Sequence, residues 1–521
     1  MDEKLSLRTE RRSMDCDYIL TGKKIYTLDE DHPAADWIAV KDKKIVKVGD
    51  GPIPEGCMKK DFGDSVIIPG LIDSHVHAGQ TAIMTGGVNL INASTIGEVL
   101  ALIEERCKTT EDDLVFAPFF IVAQIKEGRF PTRQELDSVS HGKKVMVISI
   151  TLHTSAINTA AYEAVDYHGN TYGLTMDENG EFNGYLAEDE VNFYTLGELI
   201  AGISEEKYDS YITQFAQMCV ENGITTAHCL EGQFVTGDID LDLWIKRLEK
   251  DDLPLHCVLY PQMWDYEKSR KYNLPRHGGC LTLDGADLDY TMALDEPYTC
   301  KPEVRGDLYR KDSEVYNLTA KAYADNKQIA FHAMGERAID QVMDAYRRVI
   351  AEQGQKNLRL RVEHFTLPRE SHIKMAAELG IVVSQQPEYT YLFGSPGGPI
   401  EQWFGEERNK RMEPYKYISD QGVIVAGGSD SPVNGLNPLT GIQGLVNARF
   451  DTRRMSVTEA LKVYTYNAAY AAFEENERGT IKEGYYADFT ILEEDPYEAS
   501  DRIDEIQVKG TISEGRIVFE K

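Results

Sequence analysis

Six residues in this sequence are of types that handle metal ions and protons, and each lies at the edge of a short apolar run. His75 and His77 stand one residue apart after Val66-Ile67-Ile68-Pro69-Gly70-Leu71-Ile72-Asp73-Ser74. His332 follows Gln328-Ile329-Ala330-Phe331, His364 follows Arg359-Leu360-Arg361-Val362-Glu363, and Asp430 follows Val423-Ile424-Val425-Ala426-Gly427-Gly428-Ser429. Cys280 begins Cys280-Leu281-Thr282-Leu283. Alternation along a strand points residues i and i+2 to one face, so His75 and His77 can aim their ring nitrogens at one point. Imidazoles and a carboxylate suit Zn²⁺ or a similar divalent ion. Such an ion lowers the pKa of a bound water toward about 7 and polarises a carbonyl, while a carboxylate beside it accepts and returns a proton. Singly, each residue has a plainer reading: a packed or rim histidine, or, for Asp430, a helix cap. Only 12 histidines exist in the chain, and four of them at strand ends favour a shared site.

The elements that must position these residues follow from periodicity. Apolar strand-like runs alternate with helical patterns, as in a parallel α/β domain. Eight such runs occur, at 71–75, 224–229, 255–260, 280–283, 328–331, 358–363, 381–385 and 422–426. Helical patterns at 313–326, 336–353 and 371–379 lie between them, and 456–473 follows the last. Eight βα units predict a (β/α)8 TIM barrel over 69–477, whose active site gathers at the C-terminal ends of the strands. Gly427-Gly428 lets backbone pass close to a metal or substrate there. Between the first and second runs lie roughly 150 residues, far more than one crossover helix needs. That interval holds apolar runs at 114–123 and 144–150 and a turn-rich stretch at 166–183. It is read as an inserted subdomain, 80–205, over the barrel mouth. Short β-like runs at both chain ends predict a β-sandwich built from 15–68 and 478–521, with a disordered lead-in or an upstream start before Met14.

Composition narrows the function. The 55 Lys+Arg against 86 Asp+Glu give a net charge of -31, which argues against nucleic acid and against an anionic membrane surface. The first fifteen residues carry no apolar core, so no secretory signal is expected. The most apolar stretch, 114–123, is about half the roughly 20 residues that span a bilayer. Eight cysteines without a CxxC pair fit reduced thiols in a cytoplasmic protein. The expected partner is a small-molecule substrate, with a homo-oligomer compatible but unreadable.

Pro69-Gly70-Leu71-Ile72-Asp73-Ser74-His75-Val76-His77 resembles the opening motif of the amidohydrolase superfamily. Phe331-His332-Ala333-Met334-Gly335-Glu336-Arg337, Arg361-Val362-Glu363-His364 and Gly428-Ser429-Asp430-Ser431-Pro432-Val433 are similar to its YtcJ-like branch, as are Leu152-His153-Thr154-Ser155-Ala156-Ile157-Asn158 and Asp295-Glu296-Pro297-Tyr298. The resemblance implies His75, His77, His332 and His364 as metal ligands and Asp430 as ligand and general base. It implies a metal-dependent hydrolase that cleaves an amide or related C–N bond of a small molecule. A deaminase or lactonase with the same site, or a silent binding protein on the same fold, are the alternatives. One position departs: Cys280, within Gly278-Gly279-Cys280-Leu281-Thr282-Leu283-Asp284-Gly285, stands where the family has a carbamylated lysine bridging two metals. Either its thiolate bridges two cations, which would depress its pKa below about 8.5, or it is a small core residue beside one ion. Further substrate-binding candidates are His153 in the insert, His228 with Cys229 and Glu231 at the second strand end, Tyr298, and Gln385, Gln386, Tyr389 and Tyr391 after the seventh strand.

Overall fold

The structure is a computed structural model that describes residues 14–150, 152–169, 172–187, 189–232 and 238–521. The lead-in expected before Met14 lies outside them.

Eight strands run parallel in two sheets. One sheet joins Leu71–Val76, Ile224–Glu231 and His256–Pro261; the other joins, in chain order, Arg276–Thr282, Gln328–Ala333, Arg361–His364, Val382–Gln385 and Ile424–Gly427. His256–Pro261 lies against Arg276–Thr282, and Ile424–Gly427 lies against Leu71–Val76, so the two sheets meet along both edges. The strands are buried on both faces, which is why they read as continuous apolar runs such as Ile329-Ala330-Phe331. Helix Glu336–Gln353 shows how the outer layer is laid on them. Its Ile339, Val342, Met343, Tyr346 and Val349 recur at helical spacing and are buried in one cluster with Phe331 and Val362.

The opening apolar run is not one strand. It divides at Gly70 into Val66–Pro69, which pairs antiparallel with Phe489–Leu492, and Leu71–Val76, which enters the parallel sheet. Glycine is required at the joint, since a Cβ there would stand 2.2 Å from Thr225 Oγ1. The predicted helix over 456–473 also divides, into Val457–Val463 and Tyr466–Ala471, because Thr465 leaves helical geometry at φ -138°, ψ -95°. The predicted strand at 358–363 starts only at Arg361, after Arg359 takes a positive φ of 46°.

Both chain ends contribute to a six-stranded sheet: Arg516–Glu520, Val508–Ser513, Phe489–Leu492, Val66–Pro69, Lys24–Tyr26 and Ala34–Ala35, in that order. A four-stranded sheet of Lys44–Gly49, Trp37–Lys41, Tyr18–Thr21 and Met58–Asp61 shares an apolar cluster with it, in which Leu20, Ile38 and Val40 meet Ile67, Phe489 and Ile491. Between the first and second parallel strands the chain builds a further five-stranded sheet, from Leu114–Phe120, Lys144–Ser149, Ser155–Ile157, Leu174–Met176 and Phe182–Leu186. Among the described residues no helix is long and apolar enough to cross a membrane.

The cysteine expectation needs correction. Cys16 and Cys57 form a disulfide, with Cα atoms 5.8 Å apart. The parallel pairing of Tyr18–Thr21 with Met58–Asp61 brings these two neighbours together, which spacing along the chain does not reveal. The other six cysteines are free.

The edge between the last and first parallel strands is tight. Asp430 N donates to His75 O at 2.8 Å, and a Cβ on Gly428 would lie 2.6 Å from both His75 N and His75 Cβ. Backbone cannot give way there as a side-chain tip would. Gly428→Ala is therefore expected to destabilise the fold by about 3 kcal/mol and to loosen His75, read as a lower calorimetric Tm and a reduced metal content after purification.

Candidate metal centre

The six donors come from the C-terminal ends of different parallel strands. The first strand supplies His75 and, just beyond it, His77, whose rings lie 5.4 Å apart, edge to face. His75 Nε2 and His77 Nε2 stand 3.2 and 3.3 Å from Asp430 Oδ1. Cys280 Sγ stands 3.5 Å from both His332 Nδ1 and His364 Nε2. The rings of His364 and His75 lie 4.9 Å apart and those of His332 and His364 4.5 Å. Two triads of donor atoms lie within 4.8 Å of one another: His75, His77 and Asp430, and His75, Cys280 and His364.

Two of these residues leave extended geometry to arrive there. His364 has φ 68° and Asp430 φ 57°, the left-handed region that bulky residues rarely occupy. Strict alternation along Arg361–His364 would send His364 the way of Val362, which packs on the helix layer.

Second partners fix which nitrogen each ring offers. His75 Nδ1 donates to Glu363 Oε2 at 2.7 Å, and His364 Nδ1 donates to Gln386 Oε1 at 2.8 Å. Each ring therefore presents only Nε2 to the site. His75 Nε2, His77 Nδ1 and His332 Nε2 are buried and make no hydrogen bond. Glu363 is itself clamped by Arg361, whose Nε and Nη2 donate to its two oxygens at 2.8 and 2.7 Å. Burial works against charge on Glu363, but Arg361 and His75 keep its carboxyl below the usual range. Asp284 accepts from Met334 N, Gly335 N and Ala293 N, and so anchors the loop after His332.

The charges in the cluster lean on one another. Burial pushes the Cys280 thiol up, but the imidazoles of His332, His364 and His75 outweigh it and hold it well below its ordinary value. Burial likewise opposes ionisation of Asp430, and His75, His77 and His364 overcome it, so its carboxyl falls well below the usual range. Burial pulls imidazoles down, yet Asp430 and Cys280 lift His77 to about 9, and Cys280 and Asp284 lift His332 to about 10. A thiolate and a carboxylate among imidazoles call for positive charge between them. A divalent cation supplies it and leaves the imidazoles neutral, with lone pairs free to coordinate. The donor set thus fits a metal.

The donors open onto a cavity of about 700 Å³, counting its solvent-open part. His77, Cys280, His332, His364 and Asp430 line it; His75 lies beneath them, fully buried. The segment between the first and second parallel strands contributes Leu152, His153 and Phe193, with the His153 ring 5.9 Å from that of His332. Gln386 and Tyr389 also line the cavity.

Six of the substrate-binding candidates, His228, Cys229, Glu231, Tyr298, Gln385 and Tyr391, do not line it: Cys229 is fully buried, Glu231 accepts from Ala78 N at 2.7 Å and Gln385 donates to His364 O at 3.1 Å. His228 is fully buried below the site, its Nδ1 3.1 Å from Arg361 Nη1, and burial beside that guanidinium holds its pKa well below normal. Tyr298 is buried in an apolar cluster with Met292 and Phe404, its hydroxyl accepting from Met292 N at 3.1 Å. Tyr391 is on the outside, donating to Asp504 Oδ2 at 3.2 Å. Conversely, the supporting roles of Arg361, Glu363 and Asp284 were not assigned from sequence, although each is an ionisable residue inside or directly after an apolar run. Charge inside a buried run was the available signal, because such a group must find a partner.

The profile of the amidohydrolase family matches residues 61–519. The YtcJ protein of Bacillus subtilis (strain 168) is 26% identical over 535 residues, covering 96% of this chain and 99% of its own length. An N-substituted formamide deformylase of Arthrobacter pascens is 25% identical over 544 residues, covering 97% and 98%. Among solved structures, a metal-dependent hydrolase from Pyrococcus horikoshii OT3 superposes with a TM-score of 0.76 at 21% identity, over 93% of this chain and 99% of that one, a likeness of fold. Since the family profile takes in all eight parallel strands and every donor at their ends, the chain belongs to the amidohydrolase family.

Proposed function

We propose that this hydrolase cleaves an amide or related C–N bond of a small molecule at the cavity lined by His77, Cys280, His332, His364 and Asp430. The observation that carries the reading is the convergence of six side chains of metal-ligating type from five strand ends at one cavity, five of them on its wall and His75 beneath them. The two parallel sheets are read as one closed (β/α)8 barrel over 69–477, with 80–205 above its mouth and 15–68 with 478–521 as a β-sandwich. His75, His77 and Asp430 would hold one divalent ion, and Cys280, His332 and His364 a second. Because Glu363 occupies His75 Nδ1, the ring has one nitrogen left and serves only one of the two. Imidazole and thiolate donors favour Zn²⁺. When bound, the metal supplies Lewis acidity toward a carbonyl oxygen and an acidified water.

The chain's own residues supply the proton path and the orientation. Asp430, ionised and held between His75 and His77, accepts a proton on its carboxylate and returns it to the departing nitrogen. The His75–Glu363–Arg361 chain keeps the first ligand from turning. His153 and Phe193 of the insert narrow the mouth above.

Asp430→Asn is expected to lower turnover of any cleaved amide by about a thousandfold while metal remains bound; a variant that turns over like the parent removes Asp430 from this role. Cys280→Ala should reduce bound metal from two equivalents per chain to one by elemental analysis, whereas one equivalent in both proteins means that the thiol holds no second ion. Glu363→Gln, which weakens the hold on the His75 ring and leaves Arg361 without its counter-charge, should weaken metal affinity by about 10- to 100-fold in a chelator competition and lower the calorimetric Tm.

A further inference from the structure

The cavity extends from the donor cluster to two carboxylates that the proposed chemistry leaves idle. Asp287 follows the strand Arg276–Thr282, and Glu413 precedes the helix Tyr415–Asp420. Both line the cavity and are almost wholly buried, at 1% and 2% exposure. A phenol holds one oxygen of each: Tyr389 Oη donates to Asp287 Oδ1 at 2.6 Å, and Tyr415 Oη donates to Glu413 Oε2. Leu288 N adds a second bond to Asp287 Oδ1 at 3.0 Å. Asp287 Oδ2 is left buried with no hydrogen-bond partner, and so, among residues lining the same cavity, are Thr366 Oγ1, Asn434 Oδ1 and Gln386 Nε2. Glu413 N donates to Thr366 O at 2.7 Å, two residues beyond His364, which fixes this wall relative to the donor cluster.

Buried acceptors without donors are costly until a donor arrives. Burial pushes Asp287 up to about 6 and Glu413 up to about 8. Arg453 lies near Glu413, but its guanidinium donates to Met412 O and to Asn409 O and Oδ1. Among the described residues no lysine or arginine lines the cavity.

We propose that this wall is a subsite for a cationic amine, so that the substrate is an amide whose far end carries an ammonium or guanidinium group. The inference rests on the hydrolase reading above and names its substrate class. An N–H-bearing cation satisfies Asp287 Oδ2 and pairs with its charge. A carboxylate tail meets like charge and finds no cation, which sets the pocket against N-acyl amino acids.

The test uses three acetamides of matched length: N-acetylcadaverine, N-hexylacetamide and the corresponding carboxylate-tailed amide. Their affinities are measured by calorimetry on metal-replete Asp430→Asn protein, and their turnover on the metal-replete parent. N-acetylcadaverine should bind at least about tenfold more tightly than the neutral amide, with the carboxylate-tailed amide weakest. Adding Asp287→Asn should erase that preference. Equal affinities, a preference for the carboxylate tail, or a cation preference untouched by both Asp287→Asn and Glu413→Gln overturns the subsite. If the parent hydrolyses none of the three, the hydrolase reading loses support, while the ranking of affinities still decides the subsite.

Discussion

The interior of the parallel strands depends on one buried ion pair. Arg361 and Glu363 are fully buried, two residues apart on one strand and bonded through both carboxylate oxygens. Arg361 also donates to Ser74 O at 2.9 Å and to Tyr260 Oη at 2.9 Å and contacts His228, so it reaches the first, second and third parallel strands from the sixth. Pairs of this kind add little net stability, because desolvation offsets the attraction. They do constrain geometry: with every donor of Arg361 engaged in a dry interior, the strands cannot slide without stranding a charge. The two parallel sheets are thereby tied through polar contacts as well as through their apolar clusters.

That constraint passes directly to the candidate metal centre. Glu363 accepts the hydrogen bond from His75 Nδ1, and Gln386 accepts that from His364 Nδ1, so both rings present Nε2 inward. With the tautomers held, the acidic and basic groups at the strand ends shift one another in a consistent direction. The thiol and carboxyl are driven to their anions, and the imidazoles of His75, His77 and His332 are driven upward by facing them. The cluster is a set of negative and lone-pair donors arranged around a place for positive charge. Positive φ at His364 and Asp430 belongs to the same arrangement, since extended backbone would not deliver either side chain to it.

Much of this was legible before the tertiary structure. The strands at Gln328–Ala333 and Ile224–Glu231 and the helix Glu336–Gln353 follow from apolar periodicity, because each buries a continuous face. Errors fell where a single residue changes the chain's direction: Gly70 between two strands, Thr465 between two helices, and Arg359 ahead of Arg361. Periodicity averages over a window and is blind to one dihedral. His228 and Tyr298 were expected at the cavity from their neighbourhood in sequence, yet one faces Arg361 and the other an apolar cluster. The Cys16–Cys57 bond escaped notice because it depends on a parallel pairing of strands far apart in the chain.

The sequence by itself determined the kinds of chemistry present: four imidazoles, a carboxylate and a thiol, each at the edge of an apolar run, and their likeness to one family of hydrolases. Those are local properties, carried by residue type and spacing. Only the tertiary structure decided which atoms meet. His75 and Glu363 are 288 residues apart in the chain and 2.7 Å apart in space, and Asp287 and Tyr389 are 102 residues apart and 2.6 Å apart. Such contacts arise when the sheets close and the loops pack. That is why the candidate donors could be read along the chain, whereas the ring nitrogens they offer and the acidic wall of the cavity could not.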